Sequence, residues 1–134
     1  MDHPDDLYYN REHIWIRVQG TRGTVGVTDY AQREMGEILF VDLPEEGSRL
    51  EKEDVFGSLE SSKTVAELHT PIGGEVISVN KDLEEEPSLV NDDPYGKGWL
   101  LTVEIDDPTD LEDLLNAADY EDFLEQKNEE KEEE

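Results

Sequence analysis

The chain has 134 residues, a length that suits one domain or one domain with a tail. Its 37 acidic and 11 basic side chains give a net charge of −26, which excludes ordinary phosphate-backbone binding and repels an anionic membrane surface. The absence of cysteine excludes disulfides, a thiol nucleophile and Cys-ligated zinc.

The chain is nevertheless foldable. Leu, Ile, Val and Phe make up 33 of 134 residues, above the fifth below which disorder is the default. Residues 119–134 carry nine acids and two lysines; taking that −7 from −26 leaves −19 on residues 1–118. A uniformly acidic surface therefore surrounds the core. It suits a salt-rich cytoplasm, where short Debye lengths screen self-repulsion.

Residues 1–12 read as polar and peripheral, with neither a signal-peptide h-region nor an Arg-rich transit segment. That predicts a protein retained in the cytoplasm. Ile14, Ile16 and Val18 alternate with Trp15 and Arg17 and predict a strand. A turn over 19–23 and a strand over Thr24–Val27 complete a hairpin. Asp29 with Gln32 resembles a capping box opening a short helix that ends near Gly36. Strands are expected over Glu37–Leu43, Val55–Glu60, Val65–Leu68 and Glu75–Asn80, with residues 81–97 a loop containing one helical turn.

The stretch from Trp99 to Ile105 alternates cleanly, placing Trp99, Leu101, Val103 and Ile105 on one face. Asp107-Pro108 starts a helical segment carrying Leu111, Leu114 and Leu115, and Tyr120, Phe123 and Leu124 extend it. From Gln126 the chain is Lys and Glu apart from Asn128, and fraying is expected. The sum is mainly β: six to eight short strands in a small barrel or sandwich, one internal helix and a C-terminal helical segment.

Chemistry is sparse. His3, His13 and His69 lack metal-ligand spacing and read as surface or edge residues. Asp92-Asp93 and Asp106-Asp107 read as solvated surface, and among so many carboxylates no general acid/base pair stands out. There is no nucleophile elbow or phosphate loop. Trp15 and Trp99 read as core or half-buried packing. Lys63 differs from the other five lysines because it falls in a tight turn between two strands, flanked by Ser61, Ser62 and Thr64. Its full stem is expected to project into water, with no neighbour to pin it.

The segment Phe56-Gly57-Ser58-Leu59-Glu60-Ser61-Ser62-Lys63-Thr64-Val65-Ala66-Glu67, continuing to Pro71-Ile72-Gly73-Gly74, resembles a lipoyl-attachment hairpin. Val25-Gly26-Val27-Thr28-Asp29-Tyr30-Ala31-Gln32, Met35-Gly36-Glu37-Ile38, Val41-Asp42-Leu43-Pro44 and Leu89–Leu100 are similar to further segments of the glycine cleavage system H protein family. Together these cover about residues 12–124 in the right order.

The resemblance implies a barrel-sandwich hybrid; the domain is expected to span residues 1–125, with 126–134, by composition, an acidic, disordered tail. It implies a non-catalytic, monomeric carrier, with lipoic acid joined by an amide to Lys63. Glu60, Ser61, Ser62, Thr64 and Gly74 would then be read by the lipoylating enzyme. The implied partners are glycine decarboxylase (P protein), which loads an aminomethyl group on the arm, aminomethyltransferase (T protein), which removes it, and dihydrolipoamide dehydrogenase (L protein), which reoxidises the arm. Glu67 falls where the family has an acidic or similar polar residue beside the arm. His13-Ile14-Trp15 departs from the family's His-Glu-Trp, and Glu12 is the nearest substitute; strand alternation would put residues 12 and 14 on one face.

Competing readings are a biotin carrier, whose lysine lies between methionines, and a lipoyl domain or H-like protein serving another lipoate-dependent complex. Ser62 and Thr64 argue against biotin, and the Thr28–Gln32 segment argues against a 2-oxoacid dehydrogenase domain.

Overall fold

The computed structural model describes residues 3–133, with side chains through Lys127. Among the described residues, nine strands form two antiparallel sheets. The larger has the order β1-β2-β3-β9-β8-β5: Tyr8–Tyr9, Ile14–Gln19, Arg22–Val27, Leu101–Ile105, Gly74–Val79 and Arg49–Leu50. The smaller is β4-β6-β7: Ile38–Asp42, Val55–Ser61 and Val65–His69. The two sheets do not close into a single barrel; they enclose a core of Ile14, Ile16, Val25, Leu59, Ile72, Val76, Leu101 and Val103. Among the described residues, no helix is long and apolar enough to cross a membrane.

The expected hairpins form, with sharper boundaries. β2 and β3 pair from Ile14↔Val27 to Gln19↔Arg22, so the turn shrinks to Gly20-Thr21 and Arg22-Gly23 join the strand. Gly20 makes this possible with φ 65°. The first helix, α1 (Asp29–Met35), ends at Gly36 with φ 79°, but its N-cap is Thr28, whose hydroxyl accepts from Ala31 N. Asp29 sits one residue inside and accepts from Gln32 Nε2 and Arg33 Nε instead.

Three expectations are corrected. The N-terminal segment is not peripheral: Leu7 and Tyr9 are buried, and so is His3, expected at the surface. Tyr9 stacks on Tyr120 with ring centroids 4.7 Å apart. The loop over 81–97 holds two helical pieces, a 3₁₀ turn at Lys81–Glu84 and α2 (Leu89–Asp92). The alternation expected from Trp99 begins only at Leu101; Leu100 and Leu101 are both fully buried, and Trp99 packs half-buried against a separate aromatic cluster.

Leu111 and Leu114 lie along and just after a 3₁₀ segment (Pro108–Asp113) capped by Asp107, and Leu115 bridges to Tyr9. The last helix, α3, runs over Ala117–Glu133. Its backbone is continuous across the boundary expected at residue 126.

The aromatic cluster ties the chain ends to the sheet. Tyr120 is fully buried, and its hydroxyl lies 2.8 Å from both Thr28 Oγ1 and His13 Nδ1. Trp15 Nε1 donates to the Pro94 carbonyl. Every buried side-chain polar atom among the described residues has a partner.

Candidate functional site

The β6–β7 hairpin places Lys63 at its tip. Strand pairing ends at Glu60↔Val65, and Ser61 N donates to the Thr64 carbonyl. The two tip residues, Ser62 and Lys63, have negative φ. The turn is therefore not the primed type whose twist normally suits a two-residue hairpin. Ser61 supplies what the backbone lacks: its buried hydroxyl accepts from both Lys63 N and Thr64 N, at 3.2 and 3.3 Å. A serine hydroxyl thus takes two amides that the turn itself leaves open.

Ser62, Lys63, Thr64 and Val65 are all exposed. The Lys63 stem does have a neighbour. A Cβ added at Gly36 would stand 3.4 Å from Lys63 Cε and 3.5 Å from Nζ. The lysine therefore leans over the C-terminal end of α1, where carbonyl groups favour a cation.

Below the tip, between β7 and α1, opens a cleft of about 320 Å³. Val27, Met35, Leu59, Ala66 and Leu68 supply an apolar wall, and His13, Tyr30 and Ala31 close it. Three carboxylates line it: Glu12, Glu67 and Glu34. Glu12 and Glu67 both line this cleft, Glu12 by a route that strand alternation does not give. Glu12 is not on β2. It lies in a turn whose next residue, His13, has φ 66°. Asn10 Oδ1 holds that turn by accepting from Glu12 N and Ile14 N.

The left-handed residue breaks the alternation, so Glu12 and Ile14 part company. Ile14 is in the hydrophobic core and Glu12 reaches the cleft. Glu34 carries no local signal in the sequence, because its place depends on α1 standing across the cleft from β7. Its carboxylate interacts with the Tyr30 hydroxyl, and that contact, after burial, raises the Tyr30 pKa.

His13 is not an edge residue. Burial first, then nearby Lys127, lowers its pKa to about 4, against a smaller opposing pull from Glu34. His69 Nδ1 faces the Glu53 carbonyl at 3.2 Å.

Glu60 lies one ladder step below the tip, paired to Phe40 and Val65. Gly74 stands apart, at the start of β8 in the other sheet. A Cβ there would fall 2.0 Å from the Glu104 carbonyl oxygen, so strand packing alone demands glycine. Among the described residues, no group of three His, Asp or Glu is placed to hold a metal ion.

A family model described as Glycine cleavage H-protein matches residues 7–127. The chain belongs to this family. The glycine cleavage system H protein of Salinibacter ruber is 48% identical over 120 residues, covering 90% of this chain and 97% of that one. That of Carboxydothermus hydrogenoformans is 47% identical over 126 residues, covering 94% and 97%. The crystal structure of the Mycobacterium marinum H protein superposes with TM-score 0.83 at 32% identity, covering 94% of this chain and 99% of that one. The family's fold is therefore the fold seen here, two sheets with flanking helices.

Proposed function

We propose that the chain is the lipoyl-lysine carrier of a glycine cleavage system, with lipoate joined by an amide to Lys63 Nζ. The observation that carries this reading is the exposed Lys63 on a tip held by Ser61, on the hairpin whose Leu59, Ala66 and Leu68 wall an apolar cleft edged by carboxylates. The site suits the group: the lysine is accessible, the cleft accepts an alkyl chain, and the carboxylates face a cation. When bound, lipoate supplies a redox-active dithiolane on a long flexible arm.

The protein's own residues present and position. The β6–β7 strands fix the direction of Lys63, and acylation removes its ammonium charge. Glu12, Glu34 and Glu67 attract a protonated amine entering the cleft, and the low-dielectric wall strengthens that attraction. Ile14 contributes nothing to this mouth, so the family's glutamate at that position is replaced by carboxylates from a turn, a helix and a strand.

The partners are the P, T and L proteins and a lipoylating enzyme that reads Glu60, Ser61, Ser62 and Thr64. The protein acts as a cytoplasmic monomer, with residues 1–125 as the carrier unit and 126–134 as an accessory acidic tail. The −19 on residues 1–118 marks a salt-rich setting. Lowering salt from about 1 M to 10 mM, which lengthens the Debye length from roughly 3 to 30 Å, is expected to lower Tm. An unchanged Tm contradicts the salt reading alone.

The test of the carrier reading is intact mass with one substitution. Protein from its host is expected to carry one lipoyl group, and Lys63→Arg to carry none and to fail glycine–CO₂ exchange while melting like the parent. A Lys63→Arg protein that still supports exchange overturns it. A biotin adduct supports the competing carrier.

A further inference from the structure

The outward face of the three-stranded sheet is unusually apolar for so charged a protein. Phe40 pairs with Glu60, and Glu60 pairs with Val65, so these three side chains form one row across the sheet. Phe40 is 66% exposed and Val65 59%. The next row outward, Asp42–Ser58–Glu67, is polar and acidic. The result is two apolar groups with a carboxylate between them and two more beside them, one strand step from the Lys63 turn.

The exposure of Phe40 has a specific cause. The β4–β6 register shifts by one residue between Ile38 and Phe40, leaving Leu39 without a partner. Asn91 holds the irregularity: its Oδ1 accepts from Ile38 N and its Nδ2 donates to the Gly36 carbonyl, at 2.9 and 2.8 Å. Leu39 and Phe40 are consequently both exposed, where regular alternation would bury one. Sheet edges are usually protected by charge, whereas this one presents a phenyl ring.

We infer that the Phe40–Glu60–Val65 row is the docking surface for the enzyme that acylates Lys63. This inference rests on the carrier reading above. Reach imposes it. An acylating enzyme must bring an activated acyl carbon to bonding distance of Nζ. Val65 is two residues after Lys63 and Glu60 three before it, roughly 7–10 Å along the strands. Such an enzyme therefore covers this row. A partner served by the finished arm has no such need, because the arm crosses the gap.

The lysine leans on Gly36, two residues before β4, the strand that carries Phe40. The complementary enzyme surface is an apolar socket for Phe40 and Val65 with basic groups for Asp42, Glu60 and Glu67. In the step it serves, Nζ forms a C–N bond to the lipoyl carbonyl carbon as the C–O bond from that carbon to the activating phosphate, installed from ATP, breaks. The phosphate leaves with the bonding pair, the ammonium gives up two protons in all, and nothing is oxidised or reduced.

The test uses full-length apo protein, a lipoate–protein ligase, ATP and lipoate, followed by intact mass. Phe40→Ser and Val65→Thr are each expected to raise the ligase KM for the apo protein about tenfold, with kcat and Tm unchanged. Val55→Thr is the control: it is 47% exposed on the same sheet but at the far end of β6, and it is expected to have no effect. An unchanged KM for Phe40→Ser and Val65→Thr overturns the proposal, as does an equal effect of Val55→Thr. Normal lipoylation with impaired glycine–CO₂ exchange also overturns it and assigns the row to a cleavage enzyme. Self-association of the parent that these variants abolish overturns it too and assigns the row to a second copy. Lipoylation that persists in Lys63→Arg instead defeats the carrier reading, and this proposal with it.

Discussion

The aromatic cluster around Tyr120 and the hairpin tip around Lys63 are built on opposite principles. In the cluster, Tyr120 is fully buried, stacks on Tyr9 and sits at hydrogen-bond distance from His13 and Thr28, residues from separate elements. At the tip, the exposed lysine is oriented by one serine hydroxyl and by contact with Gly36. The cluster locates α1 through the Thr28 cap, α1 walls the cleft, and the C-cap of α1 supports the lysine stem. Stability is thus concentrated away from the reacting amine, and the tip stays accessible to enzymes that must surround it.

The largest expected effect lies in the cluster. Tyr120→Ala removes a fully buried ring and leaves Thr28 and His13 short of a partner. It is expected to cost about 3–5 kcal/mol in chemical denaturation. Tyr120→Phe keeps the ring and is expected to cost about 1–2 kcal/mol. At a temperature where both stay folded, the lipoylation rate should match the parent. A rate that falls in step with stability would show that tip and cluster are one unit.

The second effect separates the regions by pH. The fold holds the His13 pKa near 4, below its ordinary 6.5, so folding favours the neutral ring. The His13 contribution is therefore complete above about pH 6.5, declines as pH falls, and is fully lost below about pH 4. The difference corresponds to roughly 3 kcal/mol at most. His13→Asn tolerates the left-handed φ and does not titrate. Its Tm is expected to fall less than the parent's between pH 7 and pH 4.5. Parallel curves would show that carboxylates, not His13, dominate the acid response.

How much of this was legible depends on whether the cause is local. The β2–β3 and β6–β7 hairpins, the helix end at Gly36 and Lys63 between two strands follow from alternation and turn residues within a few positions. The cap moved from Asp29 to Thr28 because Thr28 extends, at φ −74° and ψ 163°, and also meets Tyr120 from across the chain. Glu34 joined the cleft because α1 packs beside β7, and Phe40 turned outward because Asn91, some fifty positions on, takes the Ile38 amide. Residues 1–12 carry no local sign of burial, because the ring that stacks on Tyr9 is Tyr120, at the other end of the sequence. Local chemistry wrote the hairpin, and long-range contacts wrote the cleft and the docking row.

The smallest stability effect and the sharpest functional one are expected to coincide at Ser61. The hydroxyl of Ser61 accepts from Lys63 N and Thr64 N, and it is buried beneath the tip. Ser61→Ala leaves two amides to find water, which the exposed tip allows, so the cost should be only about 1 kcal/mol. The direction of Lys63 then loses its main local constraint. Lipoylation is expected to fall about tenfold, because a misdirected amine reaches the acyl carbon in fewer encounters. Ser61→Thr keeps the hydroxyl and should restore most of the rate. Inserting one glycine between Ser62 and Lys63 keeps Ser61 but lengthens the turn; it should do more damage than Glu60→Gln, which removes one flanking charge and preserves register. If the insertion is lipoylated at the parent's rate while Glu60→Gln fails, the ligase reads charge rather than direction. The contrast between a rigid cluster and a singly pinned tip then has no bearing on modification.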